Sequence, residues 1–241
     1  MAVHYRTQAF ILNKTDWDEA DQIFIIYTEE FGKIKIVAKA IRKIKSKLRS
    51  GIGLFYLSWI EFIQGKNYKT LTDAISLNKF ENIRNDLEKL EIASQISEAL
   101  DDLVQEQEQD ENIWNLLNEV FDKLNNYSLL FTGYRLLYYF FLWNLFVLLG
   151  YQLDLYHCVF CRKKLSPSKL YFSPEGIFCS DCSDRVGQKI DTPPEIIKIL
   201  RIVLKKDWNV LSKLRINQEQ EELLKEISAV RLLFFKNHNT L

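Results

Sequence analysis

Three histidines, four prolines and eight glycines are all that this 241-residue sequence contains of those residue types. So few histidines leave little side-chain capacity for proton transfer near neutral pH. Sparse proline and glycine, with no internal repeat or low-complexity tract, exclude a long flexible linker. No G-x-x-x-x-G-K-[ST] occurs, so a P-loop nucleotide motor is excluded. The H-x-E and P-C-x-x-C pair of zinc deaminases is missing as well: Cys158 and Val159 follow His157, and Phe178 rather than proline precedes Cys179. Met1 to Leu12 shows no charged segment followed by a long apolar one and a cleavage site, so a reducing, cytoplasmic setting is expected.

Cysteine is scarce too, but its placement is informative. All four cysteines lie in two identical pairs, Cys158-x-x-Cys161 and Cys179-x-x-Cys182, separated by seventeen residues. Two thiolates two residues apart grip one ion from a tight knuckle, and two knuckles complete the tetrahedral S₄ shell that structural zinc prefers. Such a shell leaves no open position for water or substrate, which predicts one structural Zn²⁺ per chain. Disulfides are the alternative in an oxidising compartment, and iron–sulfur ligation is a second one. His157 is read as a neighbour of the site rather than a ligand.

The formal net charge is zero, yet the charge is segregated. Residues 1–80 carry thirteen basic against eight acidic side chains, 81–150 four against thirteen, and 151–241 fifteen against eleven. A basic head, an acidic middle and a basic tail imply separate surfaces with separate partners. With 47% hydrophobic residues the chain can bury a sizeable core and fill more than one domain.

The first eighty residues read as strands: Phe10-Ile11-Leu12, Ile23 to Thr28, Lys33 to Ala40, Phe55 to Ile63 and Leu71 to Leu77. Lys33 to Ala40 alternates lysines with Ile34, Ile36 and Ala38, the period of a strand with one wet face. Gly32 closes a hairpin with positive φ. Five short strands predict a closed barrel of the OB type. From Asp86 the period becomes helical, with helices over Leu87–Leu103, Ile113–Leu124, Leu129–Leu149, Pro193–Lys206 and Glu219–Lys236. The expected class is therefore α+β: an OB-fold domain at 1–80, then a helical bundle at 81–241 with a Cys₄ zinc module inserted at about 155–185. Leu136 to Leu149 is almost wholly apolar, but its length fits a buried bundle helix better than a membrane span. A membrane-associated scaffold held by 129–149 is the corresponding alternative.

Between Lys33 and Arg49 stand eight cations and no acid: Lys33, Lys35, Lys39, Arg42, Lys43, Lys45, Lys47 and Arg49. Alternation places Lys33, Lys35 and Lys39 on one barrel face, and the other five in a loop before Ser50-Gly51-Ile52-Gly53, whose small residues permit close approach of a backbone. A sugar–phosphate chain needs such a row of point charges, and each neutralised phosphate releases counterions. Lysines guarding an edge strand are the competing explanation, though they do not require the charge to continue through Arg42 to Arg49. Phe31, Phe55, Tyr56 and Tyr68 are candidates for base stacking, or else barrel core. Asp16, Asp18, Glu19 and Asp21 would be the acids of a metal-dependent nuclease, the rival from the enzyme class; without a histidine partner they read as a solvated turn.

These pieces in this order resemble the RecO family of bacterial recombination mediators. Asp18-Glu19-Ala20-Asp21, Thr28 and Gly32-Lys33 resemble its first hairpin. Val37-Ala38-Lys39 with Arg42, Lys45, Ser46 and Lys47 is similar to its basic V-A-K-G-x-R-x-x-K-S-R run, and Leu149-Gly150-Tyr151 before the cysteines to its L-G-Y and zinc segment. The sequence departs from the pattern at Ala40 and Arg162, where glycine is usual, and at Gln22 and Lys47, where arginine is. Gly53-Leu54-Phe55 replaces a Q-P-F-like entry. The resemblance implies a non-enzymatic protein that binds single- and double-stranded DNA, anneals complementary strands and, with RecR, helps load RecA onto DNA coated by single-strand-binding protein. It also implies capture of that protein's acidic, phenylalanine-ended tail on the helical domain, for which Arg135, Tyr139 and Trp143 are candidates.

Overall fold

The computed structural model of the chain describes residues 3–126, 133–166, 169–185 and 187–238. It divides into two compact units, 1–127 and 128–241. In the first, β1 (His4–Trp17), β2 (Asp21–Thr28), β3 (Gly32–Ala38), β4 (Leu57–Gln64) and β5 (Lys69–Asn78) close a barrel in the order β1-β2-β3-β5-β4. This is the five-stranded barrel expected, but β1 runs far beyond Phe10-Ile11-Leu12. Its middle serves two neighbours at once: Ala9 pairs with Thr28 of β2 and with Ser58 of β4. A register shift between Ile11 and Asn13 bends the strand so that both ladders continue.

Residues 9–12 form a continuous apolar run because both faces of β1 are covered. Ala9 and Ile11 join Phe24, Ile26, Ile34, Ile36 and Phe62 inside the barrel. Phe10 points outward onto Phe80, Trp114 and Phe121, with ring centroids 5.2–6.1 Å away. Phe80 adjoins α1 (Glu81–Arg84), and Trp114 and Phe121 belong to α3 (Glu111–Asn126), with α2 (Leu87–Leu103) between the two in the chain. Asp86 caps α2 by accepting from the Glu88 and Lys89 amides at 3.0 and 3.2 Å. The change from strand to helix falls at 79–85 as the sequence indicates, whereas the compact unit continues through α3.

The second unit contains α4 (Arg135–Leu148), β6 (Leu170–Ser173), β7 (Gly176–Cys179), β8 (Ile190–Thr192), α5 (Pro194–Leu204), α6 (Trp208–Leu211) and α7 (Gln218–His238). The three short strands form a sheet of order β7-β6-β8 that the hydrophobic pattern does not announce. Leu136, Leu137 and Tyr139 through Phe146 of α4 are all buried. Trp143 Nε1 donates to Ser228 Oγ of α7 at 3.0 Å, and Asn144 Nδ2 to the Phe140 and Val203 carbonyls at 2.8 and 3.3 Å. Residues 129–132 of the expected central helix lie outside the described residues. Among the described residues no helix is long and apolar enough to cross a membrane.

The connection from β3 to β4 is held to the barrel at several points. Ile41 and Ile52 are part of the barrel core and Leu48 packs against it. A 3₁₀ turn at Lys47–Ser50 leads into Gly51, where a side chain would strike the Ala74 carbonyl. The close approach foreseen at Ser50–Gly53 is thus made, at Gly51, to the protein's own β5. At the start of the connection Ala40 has φ 53°, a left-handed conformation that costs an L-residue about 1–2 kcal/mol. Ala40→Gly is therefore expected to raise stability by about 0.5–1 kcal/mol in urea unfolding, after allowing for glycine's freer unfolded chain. A loss of stability would show that the left-handed turn is not the strained one.

Candidate nucleic-acid interface and metal centre

Seven of the eight cations of the basic run are exposed and one is not. Lys33 is only 7% exposed, and its Nζ donates to the Asp101 carbonyl at 2.5 Å and to Asp101 Oδ1 at 2.9 Å. The period-two reading put Lys33 on a wet face, but α2 and the segment following it cover that part of β3, so the ammonium is committed to a structural carboxylate and is not presented to a phosphate. Lys35 pairs with Glu106 at 3.3 Å with both groups largely exposed. Lys39 lies with Nζ 5.3 Å from the Tyr68 ring centre, and its hydrogen bond with Tyr68 raises its pKa. Lys43, Lys45, Lys47 and Arg49 form no ion pair among the described residues.

Two hydrogen bonds set the direction of this loop. Asp21 Oδ1 accepts from the Ala40 amide at 2.6 Å, and the Ala20 carbonyl accepts from the Arg42 amide at 3.0 Å. Asp16 accepts from Gln22 Nε2 at 2.7 Å and pairs with Arg42 Nη1 at 3.3 Å. Asp16 and Asp21 are therefore engaged in organising the basic loop, and among the described residues the only cluster of three or more metal-binding groups is that of the cysteines. Of the aromatic candidates, Phe55 and Tyr56 are buried. Phe31 packs in a ring cluster with Tyr5 and Phe62 at the barrel end. Tyr68 is 37% exposed, and Trp17 stands against it edge-on at 5.6 Å. Trp17 was not foreseen, because β1 reads as ending near Leu12.

The four cysteines converge, with all Sγ atoms within 4.8 Å of one another. Cys161 and Cys179 sulfurs are 3.7 Å apart, too far for a bond and close to the edge of about 3.8 Å that a tetrahedron with 2.3 Å metal–sulfur bonds requires. That spacing suits one ion. The first knuckle is closed by the Arg162 amide donating to the Cys158 carbonyl at 3.0 Å, with Arg162 at φ 59°. The Val159 amide donates to Ile177 of β7 at 2.9 Å, which brings the knuckle against the hairpin carrying Cys179. Burial alone would raise the Cys158 thiol pKa, but N–H groups of Cys161, Cys179 and Phe160 directed at the sulfur lower it to about 6. Burial and the neighbouring sulfurs push Cys182 up to about 12. Four sulfurs at this spacing repel one another once ionised, and a cation can be held among them. His157 binds Asp154 at 2.9 Å instead of joining the sulfurs.

The proposed peptide site has a different status. Tyr139 and Trp143 are buried in the core of the second unit, and Arg135 pairs with Glu221 at 2.5 Å. The helical spacing of these aromatics marks residues packed in the core around α4.

Comparison with known proteins gives two family matches: "Recombination protein O N terminal" over residues 1–80 and "Recombination protein O C terminal" over residues 84–235. A DNA repair protein RecO of Dehalococcoides mccartyi is 33% identical over 218 residues, covering 89% of this chain and 84% of the relative. That of Syntrophomonas wolfei is 30% identical over 224 residues, covering 92% and 87%. That of a Thermoanaerobacter species is 26% identical over 237 residues, covering 97% and 92%.

The burial of Lys33 separates it from its seven neighbours by experiment. Lys33→Ala is expected to cost about 2 kcal/mol in urea unfolding, less than a fully buried pair because Asp101 is partly exposed. Its affinity for DNA should stay within twofold of the unsubstituted protein. A large affinity loss at unchanged stability would return Lys33 to the binding face.

Proposed function

The chain belongs to the RecO family of DNA repair proteins, and from that premise we propose that it is a non-enzymatic recombination mediator whose N-terminal barrel domain binds single- and double-stranded DNA. The observation that carries this reading is the β3–β4 connection: Lys39, Arg42, Lys43, Lys45, Lys47 and Arg49 project from a backbone pinned to the barrel, with no carboxylate between them in sequence. Lys35 extends the row onto β3. Phosphates are neutralised one by one along such a row, so binding is tolerant of sequence and steeply dependent on salt. Lys39 over Tyr68, with Trp17 beside it, adds a surface on which an unpaired base can stack. Holding strands by backbone charge while leaving base edges free is what annealing of complementary strands requires. With RecR as partner, the same binding helps load RecA onto DNA coated by single-strand-binding protein, whose acidic tail docks on the helical domain at a site other than Tyr139 and Trp143.

The ion at Cys158, Cys161, Cys179 and Cys182 is zinc, one per chain, in a structural role. Four thiolates at single-ion spacing suit Zn²⁺ and fill its coordination shell.

Two measurements test these assignments. The triple reversal Lys39→Glu/Arg42→Glu/Lys45→Glu is expected to abolish annealing of strands precoated with single-strand-binding protein, and to lower DNA affinity at least a hundredfold with an unchanged circular-dichroism spectrum. Unchanged affinity at low salt would refute the basic row. Cys158→Ala, purified under reducing conditions, is expected to lose the one equivalent of zinc found by elemental analysis. The melting temperature of its unit should fall by about 10 °C, the shift that about 2 kcal/mol produces in a unit of this size. Finding no metal in the unsubstituted protein would remove the zinc assignment.

A further inference from the structure

Within residues 1–127 a cleft of about 690 Å³ opens beside the basic loop. Four cations line it: Lys14 of β1, Arg42 and Arg49 of the β3–β4 connection, and Arg84 at the end of α1. Among the described residues lining it there is no carboxylate. Its accessible apolar lining is Leu54 and Leu90, both half-buried, over a floor of Ile41, Ile52 and Phe55, which are buried. Arg84 is held in place, with Nη1 donating to Tyr56 Oη at 2.5 Å and the guanidinium 5.0 Å from the centre of that ring. Arg42 makes a contact with Asp16 at 3.3 Å, and both side chains are about half exposed, so salt and water weaken it. Four like charges that converge with so little compensation favour the entry of an anion. The volume is that of a cleft enclosing a whole small ligand. A duplex keeps its bases stacked inside and can offer only phosphates at the rim, whereas a single strand can offer a base as well.

We propose that this cleft takes one unstacked nucleotide of a single strand, its phosphate among Lys14, Arg42, Arg49 and Arg84 and its base against the apolar lining. The inference rests on the DNA-binding reading above. It extends that reading to Lys14 and Arg84, which lie outside the basic run, and to a preference for unpaired over paired strands.

The test is fluorescence anisotropy of the full chain with oligo-dT and with a duplex of equal length, titrated over sodium chloride. For Lys14→Ala/Arg84→Ala the expected result is about tenfold weaker binding of oligo-dT, with duplex affinity held within twofold. The slope of log affinity against log salt for oligo-dT should fall by about 1.4, two contacts at about 0.7 each. Equal losses on both substrates overturn the single-nucleotide cleft, as does an unchanged affinity for oligo-dT. Because Arg84 also holds Tyr56, Lys14→Ala is measured alone. Lys14 is exposed, and its removal is expected to weaken oligo-dT binding about threefold at an unchanged melting temperature; no change overturns the proposal. If the Lys39/Arg42/Lys45 reversal abolishes DNA binding while both cleft variants behave as the parent, only the cleft is lost. If the parent binds neither substrate at low salt, the DNA-binding reading falls and the cleft with it.

Discussion

Asp21 accepts the Ala40 amide at 2.6 Å, and one residue away the Ala20 carbonyl accepts the Arg42 amide at 3.0 Å. Through these two hydrogen bonds the turn between β1 and β2 fixes the start of the basic connection. Ile41, Leu48 and Ile52 then anchor it in the barrel. A freely moving loop of cations would lose backbone freedom on meeting a polyanion, at about 1–2 kcal/mol for each residue ordered. Here the backbone is ordered beforehand, and only the long side chains remain to be immobilised. Ile44, 92% exposed among those cations, shows how little of the outer loop surface packs on the barrel.

The same turn accounts for acids that otherwise invite an enzymatic reading. Asp16 and Asp21 face the loop they organise, and their charge offsets part of its own. Lys33 and Asp101 do the converse on β3, a cation spent on holding α2 against the barrel. Charge in this unit is thus divided by burial. Lysines and arginines with solvent around them can meet phosphates, while the one under the helix stabilises the fold.

In the second unit the chemistry is of another kind. The β6–β7 hairpin delivers Cys179, a 3₁₀ turn at Ser180–Arg185 delivers Cys182, and the 158–162 turn supplies the other pair. Backbone N–H groups aimed at Cys158 lower its pKa to about 6. Sulfurs this close repel one another as thiolates, so the geometry is stable in the ionised state only around a positive charge. Arg162 takes up the left-handed conformation in the first knuckle, and Ala40 does so at the head of the basic loop. Both stand where the resembling family usually has glycine, and both keep the backbone shape at a cost in strain.

Local chemistry carried much of this. The spacing of the cysteines is itself the knuckle geometry, the two-residue period marks the barrel strands, and the shift to helical period places the change from strand to helix near residue 80. These signals are legible because each depends on neighbours in the chain. The length of β1, the burial of Lys33, the packing of Tyr139 and Trp143, the β6–β8 sheet and the convergence of Lys14 and Arg84 with Arg42 and Arg49 are different in kind. Each depends on which element comes to cover or face another from tens of residues away, and a face that alternates correctly in sequence is wet or dry only once that covering element has arrived.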